Sequence, residues 1–232
     1  MKLFLNGGGC GKQTILTYKE INKIIDHKKP VLYVPLAMNE EYHPYDSCYE
    51  WIKEEISMID IPNIEMVRSF EELEEKNLDK YSLIYIGGGN TYKLLNGIKA
   101  TKTYDKLKKY ILNKGIIYGG SAGAVIFGKN INTIKAMDNN EVGIKDTSGF
   151  NYLNGISLFV HYTNYKSKYT EEENKSLMKE YTNFISDYTK ENEKVIAIPE
   201  EDTIFFDDKN IRVIGELPYY IFENGKKEKI EI

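Results

Sequence analysis

Residues 116–127 read Ile-Ile-Tyr-Gly-Gly-Ser-Ala-Gly-Ala-Val-Ile-Phe, an apolar stretch with five small residues around a single serine. The first three residues are typical of a buried strand, and the last three are typical of the start of a buried helix. A sharp turn between a strand and a helix requires small neighbours. The stretch therefore predicts a strand, a tight turn with Ser121 at its apex, and a helix.

Short apolar runs alternate with longer amphipathic stretches on both sides of this turn. Strands are expected at residues 2–6, 30–35, 64–67, 82–86, 115–118, 156–161 and 195–198. Helices are expected at residues 14–27, 47–57, 70–76, 91–95, 103–113 and 170–190. Because parallel strands need crossover connections, this alternation predicts a three-layer α/β/α fold in which helices cover both faces of a mainly parallel sheet.

The remaining segments carry weaker patterns. Residues 128–149 are expected to be irregular, and short strands after residue 198 are expected to add an antiparallel edge. No linker divides the chain, so we expect residues 1–232 to form a single domain.

The composition excludes several classes of protein. The chain has 31 Lys and Arg against 35 Asp and Glu, for a formal net charge of −4, and the two signs are interleaved, so no nucleic-acid partner is expected. Cys10 and Cys48 are too few and too far apart for a disulfide framework or a metal site, which fits a reducing compartment. No window approaches the roughly 20 apolar residues that span a bilayer. A cytoplasmic protein without a membrane partner is therefore expected.

Three glycine-rich or polar segments each follow an expected strand, namely residues 87–90, 119–124 and 161–164. In open α/β sheets, sites form at the carboxyl ends of the strands, where the loops gather. We therefore expect these three segments to meet at one edge of the sheet.

Ser121 is the candidate nucleophile. A serine hydroxyl attacks a carbonyl when a base takes its proton, and a strand-to-helix turn also aims backbone N–H groups at the developing oxyanion. The pentapeptide Gly119-Gly120-Ser121-Ala122-Gly123 fits the pattern G-x-S-x-G. Taken alone, it leaves open that Ser121 only caps a closely packed helix. Residues 87–89 similarly form either part of an oxyanion hole or a simple glycine turn.

The candidate base is one of three histidines. His27 lies at a charged helix end, and His43 lies in a polar loop. His161 closes the apolar strand at residues 158–160, so it can point into a site at the carboxyl edge of the sheet. We therefore predict that His161 is the base, although a histidine at a strand end also occurs in purely structural roles.

A carboxylate must orient the imidazole and stabilise its protonated form. Glu200 directly follows the strand at residues 195–198 and Pro199, whereas Asp138 and Glu141 lie in the loop after the serine turn. We favour Glu200 because it also leaves the carboxyl end of a strand. A solvated turn is the alternative interpretation of this position.

Residues 7–13, Gly-Gly-Gly-Cys-Gly-Lys-Gln, look like a phosphate-binding loop. The first glycine of that motif is replaced by Asn6, and its Ser or Thr after lysine is replaced by Gln13. Because the magnesium ligand is missing or displaced to Thr14, nucleotide hydrolysis is not expected. Cys10 is a weaker nucleophile candidate than Ser121, because no histidine accompanies it in the sequence.

Taken together, residues 86–91, 120–124 and 161–164 resemble the peptidase E (aspartyl dipeptidase) and cyanophycinase family of serine peptidases. Ile198-Pro199-Glu200 adds a weaker fourth match in the correct place. The resemblance spans residues 2–206, and the combination of motifs is far more specific than any one of them.

This resemblance implies a fold related to class I glutamine amidotransferases, which are flavodoxin-like, and no metal or other cofactor. It implies a catalytic triad of Ser121, His161 and Glu200, with Glu141 matching an acid that has also been considered for the charge relay. The oxyanion hole that it implies is formed by Gly89 and Ala122. The substrate contacts that we expect are Gly88, Asn90 and Thr163.

The chain departs from the aspartyl dipeptidase pattern after the histidine motif. That branch has an arginine at the start of the next helix, which pairs with the carboxylate of an N-terminal aspartate, whereas residues 169–173 read Tyr-Thr-Glu-Glu-Glu here. Lys166 or Lys168 can supply a cation, but neither has the bidentate fork of arginine. Selectivity for an N-terminal aspartate is therefore in doubt.

The function expected from the sequence is a dipeptidase-like serine peptidase that acts on short peptides through an acyl-enzyme. The alternatives are a non-catalytic binding or regulatory member of the family, and an ester or amide hydrolase of small metabolites on the same scaffold. The expected partner is a small peptide substrate, and the protein is expected to be a monomer or a homodimer.

Overall fold

The computed structural model describes residues 1–191, 193–208 and 210–232. Its strands are β1 (Lys2–Asn6), β2 (Val31–Val34), β3 (Ile64–Met66), β4 (Leu83–Ile86), β5 (Ile116–Gly120), β6 (Ile156–Phe159), β7 (Lys194–Ala197), β8 (Thr203–Asp207), β9 (Asn210–Ile214), β10 (Tyr219–Glu223) and β11 (Lys226–Ile230). Its α-helices are α1 (Ile15–Asn22), α2 (Tyr45–Glu55), α3 (Phe70–Glu75), α4 (Thr91–Ala100), α5 (Thr103–Leu112), α6 (Ala122–Val125) and α7 (Glu171–Tyr188).

The main sheet has the strand order β3-β2-β4-β5-β1-β8-β9. The first five strands are parallel, and β8 and β9 form an antiparallel edge. β2, β4 and β5 are buried along their whole length, as expected for strands covered on both faces. The predicted three-layer α/β/α fold with a mainly parallel sheet is confirmed.

A second sheet has the order β11-β10-β7-β6, in which β6 and β7 are parallel. The two strands that precede His161 and Glu200 therefore belong to this sheet, so the expectation that all three polar segments follow strands of one sheet was wrong. The physical reason is a separate apolar core, in which Phe159, Val195 and Phe222 pack against Tyr181 of α7. Short apolar strands do not reveal which sheet they join.

The two sheets meet at the loop that follows β1. The His161 amide donates to the Gly7 carbonyl at 3.0 Å, and the Gly9 amide donates to the Glu200 carbonyl at 3.0 Å. The carboxyl ends of β6 and β7 therefore lie beside the carboxyl ends of β1 and β5.

Helix boundaries differ from the expected ones mainly at their ends. The helix expected at residues 14–27 is a 3-10 turn at Gly11–Thr14 followed by α1, which ends at Asn22. The helix expected at residues 91–95 continues as α4 to Ala100. Within the part of the chain that the structure describes, no helix combines the length and the hydropathy needed to cross a bilayer.

Candidate active site

Ser121 lies at the apex of a tight turn between β5 and α6. Its φ of 52° and ψ of −113° are rare for a residue with a side chain and cost about 1–3 kcal/mol. The turn packs so closely that a Cβ on Gly123 would lie 2.2 Å from the Ile86 carbonyl oxygen, and a Cβ on Gly119 would lie 2.2 Å from that of Gly123. The glycines at positions 119 and 123 therefore allow the strained backbone conformation that exposes Ser121.

The Ser121 hydroxyl is hydrogen-bonded to the imidazole of His161, with 2.9 Å between Oγ and Nε2. His161 follows β6 and also has a positive φ, of 55°. Its side chain is half-buried, with 32% exposed, so the imidazole is held by protein while its edge faces solvent.

The other imidazole nitrogen contacts Glu200, with 2.8 Å between Nδ1 of His161 and Oε1 of Glu200. Because an ionised carboxylate only accepts hydrogen bonds, Nδ1 carries the proton and Nε2 accepts from the Ser121 hydroxyl. The hydrogen bond with His161 lowers the pKa of the Glu200 carboxyl, although partial burial opposes this effect. The Glu200 amide in turn donates to Asn164 Oδ1 at 2.7 Å.

The turn at residues 87–89 runs beside the serine. A Cβ on Gly88 would lie 3.2 Å from the Ser121 Cβ. Among the described residues, no protein acceptor is hydrogen-bonded to the amide of Gly89 or to that of Ala122. Both N–H groups therefore lack a protein acceptor in this part of the chain, and Gly89 lines the cavity that contains Ser121.

A cavity of about 640 Å³ opens over these residues. Its apolar wall is formed by Ile134, Met137, Val160 and Tyr181. The other residues that line it are Gly89, Thr91, Ser121, Asp138, His161, Asn164, Tyr165, Lys166, Ser167, Lys168 and Glu200. The cavity is large enough for a small organic ligand and presents both signs of charge.

A sequence model of peptidase family S51 matches residues 3–214. The chain belongs to peptidase family S51. This confirms both the resemblance inferred from the motifs and the prediction of a serine-type peptidase, which is a hydrolase.

Similar proteins agree with membership of the S51 family. A peptidase E of Nostoc sp. is 24% identical over 204 residues, which cover 87% of this chain and 78% of the relative. A peptidase E of Shewanella denitrificans is 26% identical over 151 residues, which cover 64% of this chain and only 60% of the relative. A solved Listeria monocytogenes structure assigned to peptidase E covers 92% of this chain and 98% of its own, with a TM-score of 0.67 and 23% identity, and shows the shared fold.

Some residues singled out by the sequence lie away from the cavity of this S51 chain. Glu141 is exposed and lines a different cavity, beside Glu40 and Glu41. Asn90 caps α4, where its Oδ1 accepts from the Lys93 amide at 2.9 Å. Thr163 is exposed and is not among the described residues that line the cavity over Ser121.

Asp138 does line the cavity, but it does not hold the histidine. Its Oδ2 accepts from the Thr91 amide at 2.8 Å, at the start of α4. Its position suits the positive end of a helix dipole. Of the three acids considered for the charge relay, the structure brings only Glu200 to His161.

The sequence motifs do not single out Asp202, which lies two residues after Glu200. Its side chain is fully buried against Gly215, and neither carboxyl oxygen has a hydrogen-bond partner among the described residues. Burial raises the pKa of Asp202 to about 7, while the nearby amides of Leu217 and Glu216 counteract the shift without reaching hydrogen-bond geometry. The folded protein therefore favours the protonated form of Asp202 more than the unfolded chain does.

The raised pKa of Asp202 predicts a specific pH dependence of stability. Since the folded state holds this proton more tightly than the unfolded state, the stabilisation is fully present below about pH 4 and is lost as the pH rises through about 7. Between pH 5 and 8, the free energy of unfolding should fall by about 2–4 kcal/mol more in the wild type than in Asp202→Asn, which cannot ionise. Urea unfolding at both pH values measures this difference, and parallel pH profiles for the two proteins would contradict it.

Proposed function

We propose that this chain hydrolyses short peptides through an acyl-enzyme on Ser121, with His161 as general base and Glu200 as the orienting acid. The observation that carries the proposal is the continuous line of hydrogen bonds from Ser121 Oγ to His161 Nε2, at 2.9 Å, and from His161 Nδ1 to Glu200 Oε1, at 2.8 Å. Both distances fall within the range required for proton transfer and orientation in a triad.

In this mechanism, Ser121 Oγ attacks the scissile carbonyl while His161 Nε2 accepts its proton. Glu200 stabilises the imidazolium through the Nδ1 hydrogen bond. The amides of Gly89 and Ala122, which have no acceptor among the described residues, donate to the oxyanion of the tetrahedral intermediate. The proton on His161 then passes to the leaving amine, and water, activated by the same imidazole, hydrolyses the acyl-enzyme and restores Ser121.

The start of α7 argues against strict selectivity for an N-terminal aspartate. Thr170 and Glu173 form a reciprocal capping box at this end of the helix. The first turn is acidic at residues 171–173, and the helix dipole stabilises negative charge at this position. Lys166 and Lys168 line the cavity instead and interact with the ring of Tyr169, at 5.7 and 5.2 Å from its centroid. A flexible ammonium selects a carboxylate less sharply than a guanidinium fork.

A panel of dipeptides with varied N-terminal residues, assayed for release of free amino acids, tests the proposal. We expect turnover of several dipeptides, with kcat/KM for Asp-Leu less than about tenfold above that for Ala-Leu or Leu-Leu, because the bidentate pair is missing. Asp-Leu and Asn-Leu form a matched pair that differs only in the charge of the N-terminal side chain. A dominant preference for Asp-Leu would contradict the expected selectivity, and no turnover of any peptide would contradict the proposed function.

A further inference from the structure

Asn6 is the last residue of β1, and its side chain is completely buried. It does not line the cavity over Ser121. Its backbone carbonyl accepts a hydrogen bond from the Ser121 amide at 3.1 Å. The nucleophile turn is therefore attached directly to the end of β1.

The side-chain amide of Asn6 is fully used within the protein. The two N–H groups of Nδ2 are shared among three acceptors, which are the carbonyl oxygens of Glu200 and Asp202, each at 3.1 Å, and Thr203 Oγ1 at 3.0 Å. Oδ1 accepts from the Gly8 amide at 2.8 Å. Because acceptors surround Nδ2 and a donor faces Oδ1, the contacts define the orientation of the amide.

The turn held by Asn6 also touches the histidine. The Gly7 carbonyl accepts from the His161 amide, and a Cβ on Gly8 would lie 2.1 Å from His161 Cε1. Gly8 has a φ of 113°, which a residue with a side chain rarely adopts. In the glycine turn that resembles a phosphate loop in sequence, Gly8 therefore packs against the imidazole of His161.

We propose that Asn6 is a positioning residue for catalysis, because its one buried amide sets the turn at residues 6–9 against the backbone of Glu200. Through this turn, Asn6 holds His161 and Glu200 in place relative to Ser121. The inference rests on the proposed function of that triad. Its physical basis is that a displacement of about 1 Å in a catalytic group can reduce the rate by about 100-fold.

Only an amide satisfies this position. An aliphatic side chain would leave the carbonyls of Glu200 and Asp202 without these donors, and a carboxylate would direct an oxygen at both of them. The aliphatic replacement therefore loosens the turn at residues 6–9, and the carboxylate repels this turn from the Glu200 backbone.

The test compares Asn6→Ala with Thr17→Val in the full-length protein. Thr17 Oγ1 donates to Thr203 Oγ1 at 2.7 Å in the same buried network, so its loss destabilises the fold but leaves every contact of Asn6 in place. Melting temperature, kcat and KM for the best dipeptide, and the rate of fluorophosphonate labelling are measured for both. We expect kcat and the labelling rate to fall about 10- to 100-fold in Asn6→Ala with KM changed less than about threefold, and wild-type kcat in Thr17→Val.

A wild-type kcat in folded Asn6→Ala would overturn the inference while leaving the proposed function intact. If Asn6→Ala does not fold, the nearly isosteric Asn6→Asp replaces it, with the same expected loss of kcat. A folded Asn6→Asp with wild-type kcat, or the failure of both variants to fold, would identify Asn6 as purely structural and overturn the inference. A wild-type protein that neither hydrolyses peptides nor reacts with the probe would overturn the proposed function, and the inference with it.

Discussion

Replacing Ser121 by alanine is expected to lower kcat/KM by about 10⁴-fold or more and to abolish labelling by a fluorophosphonate. The hydroxyl is the group that lies 2.9 Å from His161 Nε2, and alanine leaves the imidazole without a nucleophile to activate. Intact mass after treatment with the probe and initial rates on the best dipeptide measure both effects. The fold should survive, since the turn demands small residues and alanine adds no volume.

Ser167→Ala is the matched control for this experiment. Ser167 lines the same cavity, but it is not hydrogen-bonded to His161 in the structure. We expect its variant to retain one adduct per molecule. An adduct that persists in Ser121→Ala, or that disappears in Ser167→Ala, would mean that Ser121 is not the nucleophile.

Replacing Glu200 by glutamine is expected to lower kcat by about 10²- to 10⁴-fold with a smaller change in KM. Glutamine keeps the shape of the side chain but removes the negative charge that stabilises the imidazolium. The pKa of Glu200 is lowered by its hydrogen bond with His161, so the wild-type carboxylate is ionised throughout the neutral range. Steady-state kinetics at pH 7 to 8 measure the loss of kcat, because in this range the wild-type Glu200 is charged and only the substitution removes that charge.

Glu141→Gln tests the rival assignment of the acid. Its side chain is exposed beside Glu40 and Glu41 in another cavity, so we expect kcat within about twofold of the wild type. A loss in Glu141→Gln that equals or exceeds the loss in Glu200→Gln would show that the loop after α6 rearranges to place Glu141 in the relay.

Much of the fold follows from local patterns. β2, β4 and β5 are continuous apolar runs because both of their faces are covered, and the strand-turn-helix around Ser121 needs small residues within a few positions of one another. Such requirements are short-range, so they are visible in the sequence. Helix ends were less predictable, as the early end of α1 at Asn22 shows, because capping and packing decide where a helical pattern stops.

The choice among site residues depended on contacts between distant parts of the chain. The sequence offers three acids for the triad, namely Glu200, Asp138 and Glu141. Only the folded chain reveals that Glu200 lies 2.8 Å from His161. Asn6 carried one available signal, a polar residue at the end of the first apolar strand. Its role depends on partners 194 to 197 residues away, which no local pattern predicts.

The sequence by itself determined the α/β architecture, the strand-turn-helix that presents Ser121, and membership of a serine peptidase family, because each rests on small or apolar residues that are close together in the chain. Only the tertiary structure decided that β6 and β7 belong to a second sheet and that Glu200 is the acid beside His161. It also decided that the glycine turn after β1 packs against the imidazole of His161. The physical reason is that strand pairing, burial and hydrogen bonding at this site join segments that are far apart in sequence and become neighbours only when the core closes.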